Sequence, residues 1–189
     1  MSLERTSPGP AEAPLSWSAI IAGALVALAT SLFLGLLAAG FGLELSSGGV
    51  ASRTSLQAFT PQTGAIAVAI QVVAGAFGGY VAGRLRRVWL LAHTDEAHFR
   101  DTAHGLVAWA LATVAGVVMV MLVVGPYAEA MAPRVAAAAP PSTADVARAA
   151  HIAAQSAFFA AMGLILSAFV SAVAARLGGQ QAEHMHARA

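Results

Sequence analysis

Four long apolar stretches, separated by polar and ionisable segments, set the plan of this chain. The first runs over residues 18–43 without a charged residue and ends at Glu44. The second covers about 64–83 and ends on Arg84, Arg86 and Arg87. The third covers about 105–124 and meets Gly125-Pro126, a pair expected to stop it. The fourth covers about 152–175 and closes at Arg176. A helix rising about 1.5 Å per residue crosses a hydrocarbon core of about 30 Å in about 20 residues, so each stretch is long enough to span a bilayer. The expected fold class is all-α: an integral membrane four-helix bundle built from two helical hairpins. Residues 15–177 form its transmembrane domain, between a disordered N-tail (1–14, with Pro8, Pro10 and Pro14) and a flexible C-tail (178–189). The first stretch is too long for the core of a cleaved signal peptide, roughly 7–15 residues.

Within the stretches, small residues recur at every fourth position. Gly75, Gly79 and Gly83 form one row. Gly23, Ala27, Ser31, Gly35 and Ala39 form another. Shorter rows run through Ala108, Ala112 and Gly116, and through Gly163, Ser167, Ser171 and Ala175. On a helix this spacing places residues on one face. In water each such glycine would weaken the helix by roughly 1 kcal/mol relative to alanine. In lipid the bare face lets a neighbouring helix approach closely, so the rows read as helix-packing surfaces. They serve either the contacts within one chain or a second subunit or partner protein.

Composition supports the membrane class. Hydrophobic residues make up 58% of the chain and charged residues only 10%, against about 25% charged in a soluble domain. There is no cysteine, which excludes thiolate metal sites and cysteine nucleophiles. All basic residues are arginine, so neither a Schiff-base lysine nor a P-loop lysine exists. The formal net charge of +1 offers no field for nucleic acid. No cofactor is expected. Seven arginines (Arg5, Arg84, Arg86, Arg87, Arg100, Arg176, Arg188) fall in the tails and the middle connection, and three (Arg53, Arg134, Arg148) in the other two. The positive-inside rule then puts both termini in the cytoplasm.

Two local signals mark helix starts. Thr60-Pro61 reads as a cap followed by proline at the first helical position. Ser142 with Asp145 reads as a capping box. Ala76–Leu85 and Ala168–Leu177 align at an offset of 92, as do Trp17 and Trp109. Two hairpins of the same orientation, related about an axis along the membrane normal, would give this pattern.

Candidate chemistry is sparse. The segment from Leu90 to His104 is dense in ionisable groups, and His98, Asp101 and His104 are its candidate metal ligands. The bland alternative is a solvated loop, with His104 capping the third span at headgroup level. Arg84, Arg86 and Arg87 are candidates for anionic lipid headgroups as well as determinants of topology. Gln71 is the central polar side chain of the second span and is expected to bond across helices. The span hydroxyls, Thr30, Ser31, Thr113, Ser156, Ser167 and Ser171, can bond their own backbones. No catalytic set is recognisable. Ser156 and His151 are five residues apart, on different faces of a helix.

The stretches Ser16–Ala24, Gly78–Leu85 and His104–Leu111 together resemble a group of small four-span bacterial membrane proteins, some labelled PhnA-like. The resemblance implies a bacterial inner membrane location and carries no activity. These readings point to a non-enzymatic structural or accessory membrane protein that packs through its small-residue rows. The alternative is a channel or small-solute transport subunit with an oligomeric pore lined by Gln71 and the span hydroxyls.

Overall fold

A computed structural model of the chain describes residues 15–46, 60–85, 94–136 and 142–186. They form four α-helices: α1 (Trp17–Ser46), α2 (Pro61–Arg84), α3 (Thr94–Ala136) and α4 (Thr143–His186). Each contains a stretch long and apolar enough to cross a membrane. The fold is an all-α, four-helix membrane bundle. The N-tail, Arg86, Arg87 and most of the connection between the first two spans lie outside the described residues.

Two of the helices outrun their apolar stretches. α3 starts at Thr94, so the ionisable segment expected as a loop is largely its first turns. It also continues through Gly125-Pro126, correcting the expected stop. Proline's fixed φ is helical; it removes one backbone bond without having to end the helix. At 43 and 44 residues, α3 and α4 extend about 65 Å each, twice the hydrocarbon thickness. The expected loose tail from Gly178 is likewise corrected: α4 runs to His186, and Gly178, Gly179 and Ala182 are buried.

The starts of α2 and α4 are capped by side chains. Thr60 Oγ1 accepts from the Thr63 N–H at 3.2 Å, ahead of Pro61. Ser142 Oγ accepts from the Asp145 N–H at 3.2 Å, while Asp145 Oδ2 accepts from the Ser142 N–H at 3.1 Å and its hydroxyl at 2.7 Å. Replacing Ser142 with alanine is expected to cost about 1 kcal/mol and to speed amide hydrogen exchange in the first turn of α4, leaving the rest of the helix protected.

The interior is made of small residues. Among the described residues the buried apolar side chains are alanines apart from Ile20, while Leu32, Phe33, Leu36, Met121, Leu122, Ile165 and Phe169 lie on the outside. This reverses the rule for soluble proteins. Lipid is as apolar as leucine, so large side chains gain little by leaving it, and helices associate where backbones can touch.

α2 and α4 form the most extensive helix contact. Gly75 faces Ser167, Gly79 faces Ser171 and Gly83 faces Ala175; a Cβ on any of these glycines would overlap the opposite helix. Each pair is 92 residues apart, the offset of the sequence similarity, and the numbering rises together, so the two helices are parallel. α2 turns its other side to α1. There Gly23 and Gly78 each meet the other's carbonyl oxygen, and Ala27 and Ala82 complete the contact. α3 touches all three other helices, whereas α1 does not reach α4. A two-fold relation between the hairpins would pair α1 with α4 as α3 pairs with α2. The α2–α4 pair therefore follows the duplicated pattern and the outer helices depart from it.

Candidate functional site: the small-residue seams and the cavity between them

Burial is concentrated at one end of the bundle. Ile20, Ala82 and Ala108 form a tightly closed cluster there. Next along the axis come Ala24, Ala27 and Ala112, with Leu28 packed against them. Beyond this level the walls separate. A cavity of about 450 Å³ lies between the four helices, lined among others by Ser31, Gln71, Gly75, Trp109, Thr113, Leu164 and Ser167. Further on, α1 past Ser31 and α3 past Gly116 are mostly exposed along their sides. Gly35, expected in the packing row of the first span, has nothing within 4 Å of where a Cβ would stand. Its row is correctly spaced, but only Gly23 and Ala27 fall at a level where α2 is close enough to use it.

The span hydroxyls are used in two ways. Thr113 Oγ1 donates to the Trp109 carbonyl at 2.9 Å and Ser156 Oγ to the Ala153 carbonyl at 2.9 Å, both within their own helix. Ser167 and Ser171, expected to do the same, cross to neighbours instead. Ser167 Oγ donates to the Gln71 carbonyl on α2 at 2.8 Å, and Ser171 Oγ donates to the Gly105 carbonyl on α3 at 2.9 Å. Each of those carbonyls is reachable because a glycine opens the backbone beside it: Gly75 one turn on from Gln71, and Gly105 itself. Such interhelical bonds contribute about 0.6 kcal/mol each in membranes. Gln71 thus joins α4 through its main chain, and the residue is part of the cavity lining.

The other small residues make looser contacts. A Cβ on Gly163 would lie 3.6 Å from Val68, and one on Gly116 would lie 3.5 Å from Leu28. Both are ordinary van der Waals distances, so these two glycines do not mark points of closest approach.

At the closed end, side chains tie the helices together. His104 is buried on α3. Its Nδ1 lies 2.7 Å from the Arg100 carbonyl, which can only accept, so Nδ1 carries the proton. Nε2 then accepts from the Ser16 N–H and Oγ, each at 3.0 Å. Ser16 is the residue that caps α1, since its own carbonyl accepts from the Ala19 and Ile20 amides. His104 was expected to cap its own span; it holds the start of α1 instead.

His98, Asp101 and His104 do not converge on a metal. Positions 98 and 104 are six residues apart, about 240° around a helix. His98 faces Arg176, whose Nη2 donates to its Nδ1 at 3.5 Å. Asp101 is buried beneath Gly179, where a Cβ would strike its carboxylate. Among the described residues no group of three His, Asp or Glu side chains is placed to hold a metal ion. Arg84 likewise has a protein partner, donating from Nη1 to Gln181 Oε1 at 3.1 Å. The Tyr80 hydroxyl donates to the same oxygen at 2.5 Å, and Gly178 lets α4 pass close to the Tyr80 carbonyl.

Sequence reasoning, which used Trp109 only for its alignment with Trp17, missed the position of its indole. It lines the cavity, and its Nε1 is buried without an acceptor among the described residues. The offset of 92 would put Trp109 at the same level as Trp17. However, Ser16 meets His104 and Leu28 meets Gly116, both 88 apart, which sets Trp109 one turn deeper than Trp17. Comparison of the chain with protein-family models, with curated proteins and with solved structures gives no match.

Proposed function

We propose that this chain is a non-enzymatic, multi-pass protein of a bacterial inner membrane, with both termini cytoplasmic, serving as a structural or accessory subunit. The observation that carries the reading is how the α2 small residues are used. Gly75, Gly79 and Gly83 lie against α4, and Gly78 lies against α1. The tightest rows are therefore occupied inside the chain and make one end of the bundle rigid. The described arginines Arg84, Arg100 and Arg176 stand at that end, which supports the orientation. Arg86 and Arg87 retain the role of anionic lipid contacts in this reading, each adding about 1 kcal/mol near an acidic leaflet.

The cavity and its Gln71 amide favour a second reading, a small-solute transport subunit. Against a pore through a single chain stands the Ile20–Ala82–Ala108 cluster, whose buried side chains pack together between the cavity and the end that carries Arg84, Arg100 and Arg176. Native mass spectrometry on protein released gently from its own membrane separates the two readings. A complex with a second membrane protein at fixed stoichiometry supports the accessory reading. A homo-oligomer of defined size that conducts in planar bilayers overturns it in favour of transport.

A further inference from the structure

The contact between α3 and the start of α1 depends on a single proton. His104 is buried and both of its ring nitrogens are engaged. Nδ1 lies 2.7 Å from the Arg100 carbonyl oxygen, and Nε2 lies 3.0 Å from both the Ser16 nitrogen and Oγ. A carbonyl only accepts, so the Nδ1 position is already filled by hydrogen. A backbone N–H only donates, so Nε2 must present its lone pair. The contact therefore exists for the neutral ring, in one tautomer. Histidine is the side chain that ordinarily takes up a proton between about pH 5 and 8.

A proton added to this ring has one place to go, Nε2. There it points at two donors. The Ser16 hydroxyl can turn round and accept from it, but the Ser16 amide cannot. The added charge also falls at the N-terminus of α1, the positive end of a 30-residue helix. Ring and amide then repel each other. The Ser16 carbonyl accepts from the Ala19 and Ile20 amides, and Ile20 packs on Ala82 and Ala108, so the disturbance enters the first turn of α1.

The surrounding charges govern how readily the ring takes the proton, not what the proton does at Nε2. On α3, Arg100 and Asp101 stand one turn before His104, and His98 lies beyond them. Arg176 on α4 donates to His98, and Arg84 on α2 donates to Gln181. α1 carries no charged residue from Ser16 to Leu43. Asp101, buried beneath Gly179, is the acidic side chain among these. Its carboxylate attracts the added charge and the arginines oppose it. Glu12, four residues before Ser16, lies outside the described residues.

We propose that the His104–Ser16 contact is a pH-operated latch on the start of α1. The neutral ring holds it closed, and a proton at Nε2 releases the Ser16 amide and with it the first turn of the helix. The acidity it senses is that of the end of the bundle where Arg84, Arg100 and Arg176 stand. The latch does not rest on the accessory reading, because it requires only the geometry of α1 and α3.

The test uses the full chain, labelled with ¹⁵N, in detergent micelles between about pH 8 and 5, the interval over which histidine ordinarily titrates. The His104 ring ¹⁵N shifts report which nitrogen carries a proton. Hydrogen exchange at the Ser16 amide, divided by the rate for an unstructured chain at the same pH, reports the latch. The expected result is an unprotonated Nε2 at the alkaline end, and a proton there on acidification. Ser16 protection is expected to fall about fivefold with the same midpoint, on the scale of one hydrogen bond. Gly79, in the α2–α4 seam, should stay protected throughout. His104→Gln keeps an acceptor for Ser16 and every other titratable group, so its Ser16 protection is expected to be independent of pH. A ring that stays neutral throughout, a ring that gains its proton while Ser16 protection is unchanged, or a loss of protection that persists in His104→Gln would each overturn the proposal. If the variant does not fold, the coincidence of the two midpoints in the parent chain decides.

Discussion

Gly79→Leu is expected to remove most of the folded protein, whereas Gly35→Leu leaves yield and melting temperature unchanged. Both glycines belong to rows of identical spacing on apolar helices. At Gly79 a Cβ would overlap the carbonyl oxygen of Ser171 and approach its Oγ at 2.7 Å. The obstacle is backbone, so no rotamer change relieves it; α2 and α4 must separate. Separation also lengthens the Ser167–Gln71 bond, because that hydroxyl reaches its acceptor only at this helix spacing. Overpacking of a tight site costs typically 1–3 kcal/mol, and a forced backbone shift puts this substitution at about 3 kcal/mol or more. At Gly35 nothing lies within 4 Å, so leucine adds a lipid-facing side chain beside Leu36 and Leu37. Thermal unfolding in detergent, followed by far-ultraviolet circular dichroism, checks both. Equal melting temperatures for Gly79→Leu and the parent would show that the α2–α4 seam tolerates separation and would remove the basis for a rigid core.

That contrast shows what hydrophobic patterning reveals and what it conceals. The four helices were legible because spanning lipid requires a continuous apolar run, and a charge or proline interrupts one visibly. The run reports where hydrocarbon begins and ends, not where the helix does. α3 and α4 therefore exceed their apolar stretches by a turn or more at each end, through Gly125-Pro126 and Gly178-Gly179. In the second pair the glycines resemble a helix end but act as packing positions, Gly178 beside the Tyr80 carbonyl and Gly179 above the Asp101 carboxylate. Spacing also identified which residues share a face without identifying what that face meets. Gly75, Gly79 and Gly83 have partners because Ser167, Ser171 and Ala175 stand at the same height, whereas Gly35 lies past the level at which α2 approaches. The histidines and Asp101 illustrate the same limit of spacing. Ionisable density in sequence resembled a ligand set, while helical geometry sends His98, Asp101 and His104 to three different neighbours. The cavity had no sequence signature, because its wall is assembled from residues of all four helices.

The second large effect is expected at His104. Replacement by phenylalanine keeps a ring of similar size but removes both nitrogens. The Ser16 N–H and hydroxyl then lose their acceptor at 3.0 Å, and the Arg100 carbonyl loses the imidazole N–H at 2.7 Å. Ser16 is part-buried, so the loss of its acceptor costs about 1 kcal/mol, the lower end of the range for a buried donor left unpaired, and it falls on the first turn of α1, whose neighbouring amides depend on Ser16 as their cap. The consequence is local in origin but reaches the core. Ile20 is one turn further on, fully buried against Ala82 and Ala108, and α1 touches only α2 and α3. Loosening its start therefore weakens the cluster that closes the bundle. The expected signature is amide exchange at Ser16 about fivefold faster, matching a loss of about 1 kcal/mol, together with a lower melting temperature. His104→Gln separates the hydrogen bond from the ring, since its side-chain oxygen can accept from Ser16, and it should recover part of the protection. Slow exchange at Ser16 in the phenylalanine variant would mean that the start of α1 is held by packing of Ile20 alone. The closed end of the bundle would then depend on its alanine contacts rather than on the histidine that joins α3 to α1.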